Sequence, residues 1–383
     1  MKFLRNKIDQ FKPHFEKGGK FEKFHPAFEG FETLLYVPEA VTQKGAHIRD
    51  AVDLKRTMIT VVLAMIPALL FGMYNVGFQH FTQLGTMGEQ AFMDVFLFGL
   101  LKVLPLIIVS YGVGLTIEFA FAIQRGHSIN EGYLVSGMLI PLIVPVDVPL
   151  WMLAVAVAFA VIIGKEVFGG TGMNIVNPAL TARAFLFFAY PTKMSGDKIW
   201  VAGGETVDAI SGETILGVLA NNGSHDYSIT DMFLGFIPGS VGETSVIAIL
   251  IGAALLLYTG IGSWKIMLSA VLGGTLMISL FNAVGNPESV LQMTDVLPHL
   301  LIGGFIFGVV FMATDPVTAS QTETGKWIYG FLVGLLAMLI RVVNPAYPEG
   351  MMMAILFMNI MAPLIDHYVV GANIKRRLKR VKA

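Results

Sequence analysis

The stretch Ile175-Val176-Asn177-Pro178-Ala179 recurs 167 residues later as Val342-Val343-Asn344-Pro345-Ala346, and this recurrence is the strongest indication of the architecture. A second block shares this offset, since residues 133–146 align with residues 300–313, and an acid beside a proline turn follows each copy. Two blocks at one offset indicate an internal repeat of two halves. Asn caps helix N-termini and Pro favours the first helical position, so each Asn-Pro pair predicts a helix start within the membrane.

The composition places the repeat in a lipid bilayer. Of the 383 residues, 55% are hydrophobic and 14% are charged, whereas a soluble domain is about a quarter charged. Several apolar runs approach or exceed the roughly 20 residues that span a bilayer as a helix. The chain is therefore predicted to be an all-α polytopic membrane protein. It has no cysteine, which excludes disulfides and thiolate-ligated metal clusters on this chain.

We predict ten membrane segments, of which the third, fourth and fifth are short. Their approximate bounds are 57–78, 95–121, 133–145, 150–164, 178–190, 243–260, 266–285, 296–314, 327–342 and 350–366. The three short segments suit half-helices or re-entrant pieces better than full spans. Two halves of five segments each must be inverted relative to one another, and inverted repeats with broken helices place a binding site near the bilayer midplane.

The charge distribution predicts the orientation in the membrane. Of the 26 Lys and Arg, 17 lie before Thr57 or after Asp366, so both termini are expected in the cytoplasm. The predicted parts are a cytoplasmic N-terminal segment, a first membrane repeat, an outer loop, a second membrane repeat and a basic cytoplasmic tail. These parts cover residues 1–56, 57–190, 191–242, 243–366 and 367–383, respectively.

The long outer loop contains Asp208-Ala209-Ile210-Ser211-Gly212-Glu213-Thr214. Asp208, Ser211 and Gly212 are turn-forming residue types, so Thr214 is expected to present its hydroxyl on an accessible segment. Such a hydroxyl suits attachment of a group through a phosphoester, although the string also suits an ordinary surface loop. Gly242-Glu243-Thr244 repeats the Gly-Glu-Thr, but it has Pro238 rather than an acid six residues before its Thr and abuts an apolar segment.

Long ordered blocks resemble a known family, the B-type subunits of the sodium-translocating NADH:quinone oxidoreductases. The blocks are residues 49–56, 164–172, 185–191, 311–316 and 341–352. The related D-type subunits of the Rnf ferredoxin-oxidising complexes share the membrane core. The family's flavin-attachment pattern is Asp-x-x-(Ser/Thr)-Gly-Ala-Thr, and this chain has Glu213 where Ala is usual.

The resemblance implies an electron-relay subunit that is flavinylated by a dedicated flavin transferase. Flavin mononucleotide (FMN) would be linked to Thr214 on the outer side, with Asp208, Ser211 and Gly212 in the acceptor motif. Electrons would pass to a noncovalent riboflavin, with Asn177 and Asn344 in the walls of its pocket. They would then reach ubiquinone at the cytoplasmic N-terminal region, and Gly114 matches a glycine near the quinone site.

The resemblance also implies coupling of this electron transfer to Na⁺ export across a bacterial inner membrane. Glu118, Asp315 and Asp366 match acidic positions that the family associates with sodium. Ionisable residues at membrane depth are costly and usually functional, and the structural alternative for each is an ion pair between helices or a group that reaches the interface. The expected partners are the other subunits of the complex, ubiquinone, Na⁺ and lipid, without nucleic acid.

Two other functions fit parts of the sequence. An Rnf-type subunit has the same core and flavin threonine, but the long polar segment 1–56 favours the quinone-reducing branch. Two inverted halves of five segments also build channels for small polar solutes. A channel has no need of a flavin-acceptor motif, so Thr214 distinguishes the electron carrier from the channel.

Overall fold

The computed structural model describes residues 2–16, 18–36, 45, 54–126, 132–194, 200–203, 212–344, 347 and 349–381. Within these residues the regular structure is helical, which confirms the all-α prediction. The helices are α1 (Lys2–Phe11), α2 (His25–Leu35), α3 (Leu54–Gln83), α4 (Phe92–Arg125), α5 (Tyr133–Ile143), α6 (Leu150–Ile162), α7 (Pro178–Ala189), α8 (Ile215–Ala220), α9 (Ile229–Leu234), α10 (Val246–Tyr258), α11 (Trp264–Val284), α12 (Val290–Met293), α13 (Val296–Leu301), α14 (Phe305–Phe307), α15 (Glu323–Val343) and α16 (Met351–Val381).

Each of the ten predicted membrane segments contains helix, and six helical stretches are long and apolar enough to cross a bilayer. The chain is therefore a multi-pass membrane protein. Shorter apolar helices are α5, α7 and α10. The prediction that the fourth segment is a half-helix is wrong, because α6 and the turn after it form a 19-residue stretch, Leu150–Phe168, of spanning length.

The eighth segment is broken rather than continuous. Helix α13 ends at Leu301, and α14 then continues as a π-helix, Gly308–Met312. Gly303 and Gly304 lie between them with φ angles of +67° and +68°. Residues other than glycine rarely adopt this left-handed backbone conformation. The two glycines therefore end one helix and allow the next to start in a new direction.

Three helix-to-helix contacts recur between the two halves. Helix α4 packs against α5 and α6, as α11 packs against α13 and α15, while the α6–α7 contact matches α15–α16. The halves meet where α3 packs on α10 and α7 on α16. Small residues allow this close packing: a Cβ added at Gly99 would lie 1.7 Å from the Met73 carbonyl oxygen, and one at Gly334 would lie 1.8 Å from that of Ala270. The inverted orientation of the halves stays a prediction.

The described part of the loop between the halves is anchored to both of them. Helices α8 and α9 form a small apolar cluster with α10, α12 and α13. On the other side, His80 Nδ1 lies 2.8 Å from the Ala202 carbonyl oxygen, and the Gly203 N–H donates to the Asp147 carboxylate. These contacts hold the loop against the membrane helices at the position of Thr214.

Candidate functional site

Thr214 lies at the start of α8. Its Oγ1 accepts a hydrogen bond from the Gly217 N–H at 3.1 Å, so it is the N-cap of that helix. Thr is a favoured N-cap because its hydroxyl satisfies a backbone donor that the first helical turn leaves free. The residue is half-buried, which leaves its hydroxyl within reach from outside the helical core.

A cavity with an empty volume of about 660 Å³ opens beside Thr214, and we call it the outer cavity. Its lining residues are Arg183, Phe187, Met194, Trp200, Thr214, Ile215, Leu216, Ile237, Pro238, Gly239, Ser240, Glu243, Thr244, Ile302, Gly303, Gly304, Tyr347 and Glu349. Apolar and aromatic walls with a few polar groups are the usual composition of a small-molecule site.

A buried charge cluster lies in the outer cavity. Arg183 Nη1 donates to Glu243 Oε1 at 2.9 Å, and Nη2 donates to Glu349 Oε2. Arg183 is 3% exposed. A Cβ at Gly304 would lie 2.6 Å from the Glu243 carboxyl carbon, so the break in the eighth segment also makes room for this carboxylate. Burial raises the pKa of Glu349 to about 7, against the opposing effect of the Arg183 charge.

Three polar atoms of the cavity walls are buried without a hydrogen-bond partner in the part of the chain that the structure describes. They are Arg183 Nε, Trp200 Nε1 and Thr244 Oγ1. Leaving a buried polar group unsatisfied costs about 1–3 kcal/mol. Two of the three can only donate, so the walls fit an occupant with acceptor atoms.

The structure separates the two Gly-Glu-Thr copies by exposure. Thr244 lines the same cavity but is 2% exposed, whereas Thr214 is half-buried. Glu213 is not among the lining residues, and its carboxylate accepts from Asn221 Nδ2 at 3.3 Å. Gly212 is buried, and its carbonyl oxygen accepts a hydrogen bond from the backbone N–H of Trp200 at 3.2 Å. Asp208 and Ser211 lie outside the described residues.

A second cavity, of about 770 Å³, lies where α7 begins, and we call it the inner cavity. Asn177 is the N-cap of α7, as its sequence predicts, with Oδ1 accepting from the Ala179 and Leu180 N–H groups. Its Nδ2 donates to Asp315 Oδ2 at 3.2 Å. The first Asn-Pro pair and the acid after the broken segment therefore meet in one cavity.

Asn344 lies elsewhere. It is exposed at the end of α15, and it is absent from the described lining of both cavities. The prediction that this Asn also begins a helix is wrong, because α16 starts at Met351. The intervening chain instead carries Tyr347 and Glu349 into the outer cavity.

The residues with predicted sodium and quinone roles do not line the outer cavity. Glu118 is buried and accepts from Lys165 Nζ, and Lys165 also lines the inner cavity. Gly114, one turn earlier, faces Tyr133, where an added Cβ would lie 1.9 Å from the ring. Tyr133 in turn donates to the Ser110 carbonyl at 2.9 Å.

Asp366 caps the start of α15. Its carboxylate accepts hydrogen bonds from the Ser320 and Thr322 hydroxyls and from the Gln321 and Thr322 N–H groups. Asp315 also accepts from Thr318 Oγ1 and the Val317 N–H. Among the described residues, no group of three or more His, Asp or Glu side chains could hold a metal ion, so the three acids do not converge on one ion.

Sequence reasoning missed Trp200, Glu243, Tyr347 and Glu349 as parts of the site. A signal was present, because Glu243 and Glu349 each lie directly beside an apolar segment. Asn174 was also missed. It lines the inner cavity three residues before Asn177 and donates to the Val176 carbonyl at 3.1 Å.

A helical bundle of two repeated halves with two cavities among its helices defines a polytopic membrane protein. The family model described as "NQR2, RnfD, RnfE family" matches residues 41–375, and the chain belongs to this family.

Curated relatives match along nearly the whole chain. A protein of Chromohalobacter salexigens is 50% identical over 400 residues, which cover 98% of this chain and 96% of that one. Proteins of Pseudomonas aeruginosa and Azotobacter vinelandii are 48% and 47% identical over 403 residues, with 98% and 99% coverage of this chain and of each relative, respectively. All three are named as the B-type subunit of a Na(+)-translocating NADH-quinone reductase.

Proposed function

We propose that this chain is the electron-relay, B-type subunit of a sodium-translocating NADH:quinone oxidoreductase and carries FMN on Thr214. The observation that carries the proposal is the half-buried Thr214 beside a cavity whose buried donors have no partner among the described residues. The names of the relatives agree with the quinone-reducing branch. A solute channel would leave Trp200 Nε1 and Arg183 Nε without a specific purpose.

The outer cavity fits the group that the proposal assigns to it. The Thr214 Oγ1 would form the phosphoester, and the Phe187, Trp200 and Tyr347 rings would lie beside the flavin ring. Arg183 Nε and Trp200 Nε1 would donate to acceptor atoms on its edge. When bound, FMN supplies the capacity to take up and release electrons, while these residues hold it, orient it and exclude water.

For the inner cavity we assign the noncovalent riboflavin. The support is its volume, comparable with that of the outer cavity, and its polar groups, which include Asn174, Asn177 and Lys165. These side chains would bind and orient the ring. The proposal retains ubiquinone near Gly114 and the cytoplasmic N-terminal segment, with Glu118, Asp315 and Asp366 as candidate sodium positions.

The proposal also includes sidedness and partners. Both termini would lie in the cytoplasm and Thr214 on the outer side of a bacterial inner membrane, as the Lys and Arg distribution favours. The other subunits of the complex would deliver electrons to the flavin on Thr214, and a flavin transferase would attach it. An electron that crosses a medium of low dielectric constant favours uptake of a compensating cation, which gives a physical reason for coupling to Na⁺.

The test is to express the chain with its flavin transferase and analyse the fragment that contains Thr214 by mass spectrometry. We expect a mass increase equal to FMN minus water, localised to Thr214. Thr214→Val should abolish in-gel flavin fluorescence. Thr244→Val, the matched control in the same cavity, should retain it.

An unmodified Thr214 fragment from fully active complex would overturn the assignment. Fluorescence that persists in Thr214→Val but disappears in Thr244→Val would move the attachment to the buried threonine. The first result would reopen the solute-channel alternative, whereas the second would still leave a covalent flavin on this chain.

A further inference from the structure

The Arg183 cluster is not needed to attach a flavin to Thr214. Attachment requires a hydroxyl, whereas the cluster buries one guanidinium and two carboxylates in the wall of the same cavity. Removing charges from water is costly unless they are paired and hydrogen-bonded. A buried charge cluster that lines the outer cavity therefore calls for an explanation beyond attachment.

The geometry of Arg183 leaves one edge of the guanidinium for an occupant. Nη1 and Nη2 are taken by Glu243 and Glu349, while Nε has no partner within the described chain. The guanidinium carbon lies 5.8 Å from the centre of the Trp200 ring, whose Nε1 is also unpartnered. Two donor groups that need acceptors thus lie on neighbouring parts of one wall.

We propose that Arg183, held by Glu243 and Glu349, is a positioning residue that donates through Nε to the flavin ring and sets its reduction potential. This inference rests on the proposed function. Reduction adds one electron, which originates in NADH under that function, and no bond within the chain forms or breaks. Arg183 stabilises the added negative charge, and the two carboxylates oppose it.

The opposite charges of Arg183 and of the two carboxylates predict the direction in which each substitution shifts the reduction potential. Interactions between charges are several-fold stronger in a protein than in water. Nearby Arg341 adds a further positive charge, but its Nη1 donates to the His299 carbonyl, and Nη2 to those of Ile302 and Gly303. The Tyr347 hydroxyl donates to Glu349 at 3.3 Å. Neutralising Arg183 and neutralising a carboxylate should therefore shift the potential in opposite directions.

The experiment is a spectroelectrochemical titration of the flavin in the purified complex, with Thr214→Val as the spectral blank. Arg183→Gln should make reduction at least about tenfold less favourable, which lowers a one-electron potential by about 59 mV. Glu243→Gln and Glu349→Gln should each raise it. Arg183→Lys keeps the charge and should recover part of the loss.

Arg125 and Glu166 provide matched controls, because they form an ion pair at 2.9 Å and do not line the outer cavity. Arg125→Gln and Glu166→Gln should leave the potential unchanged. If Arg183→Gln does not fold, the two glutamate variants still test the sign. Unchanged potentials, or shifts of one sign in all three cavity variants, would overturn the inference. Absence of flavin on Thr214 in the wild type would instead remove the proposed function, and this inference with it.

Discussion

The two cavities are built from matching positions of the two halves but differ in their charges. Val135 and Ser136 line the inner cavity, and Ile302 and Gly303, 167 residues later, line the outer one. The outer cavity holds an arginine with two carboxylates and the half-buried Thr214. The inner cavity places Lys165, paired with Glu118, apart from Asp315, whose described hydrogen-bond donors are neutral. The repeat thus accounts for two similar openings, and side chains at positions that differ between the two halves give each its chemistry.

The largest effect is expected when one partner of the Lys165–Glu118 ion pair beside the inner cavity is removed. Lys165→Met removes one partner of a buried ion pair, which costs about 3–5 kcal/mol. Thermal unfolding of the purified complex should show a large loss of stability. The double variant Lys165→Met/Glu118→Leu should recover most of it, since neither charge then remains buried. Equal losses in the single and double variants would contradict a direct pairing.

Substitution of Gly114 tests the packing of α4, the helix that also carries Glu118. A Cβ there would overlap the Tyr133 ring, and overpacking of this kind costs about 1–3 kcal/mol. Gly114→Ala should therefore destabilise the protein, and adding Tyr133→Leu should restore stability. Assays of the KM for quinone then separate packing from binding. A raised KM that survives in the restored double variant supports a quinone role, and a normal KM contradicts it.

Asp315 tests whether the inner cavity responds to sodium. Asp315→Asn should weaken the sodium dependence of quinone reduction several-fold, because the variant loses a hard anionic oxygen ligand. Asp366→Asn is the comparison variant, since the Asp366 oxygens already accept four hydrogen bonds at the start of α15. An unchanged sodium response in Asp315→Asn would leave this acid with the structural role of binding Asn177.

Glu349 gives the smallest effect and concerns pH. Burial raises its pKa to about 7, so the carboxyl gains a proton as pH falls from about 8 to about 6. The cavity then loses a negative charge, and the flavin potential should rise more steeply in the wild type than in Glu349→Gln. Arg183, Arg341, Glu243 and Tyr347 are the other ionisable groups near it. Identical slopes in the two proteins would contradict this titration.

Local patterns predicted the fold well. Apolar runs located all ten segments, and the Asn-Pro pair predicted the cap at Asn177, because both signals depend on nearby residues. The charge cluster was not predicted, since Arg183 lies 60 and 166 residues from its two partners. The equivalence of Asn177 and Asn344 failed because the second copy is followed by Tyr347 and Glu349, which enter the outer cavity.

The order in which the outer cavity is assembled follows from where its wall residues lie along the chain. Thr214 leaves the ribosome near the middle of synthesis, whereas Tyr347 and Glu349 precede the last helix. The hydroxyl can therefore exist in the membrane before the pocket beside it is closed. Arg183 likewise lacks one of its carboxylates until the last two helices have inserted. Closure of the outer cavity around Arg183 therefore follows synthesis of the segment that joins α15 to α16.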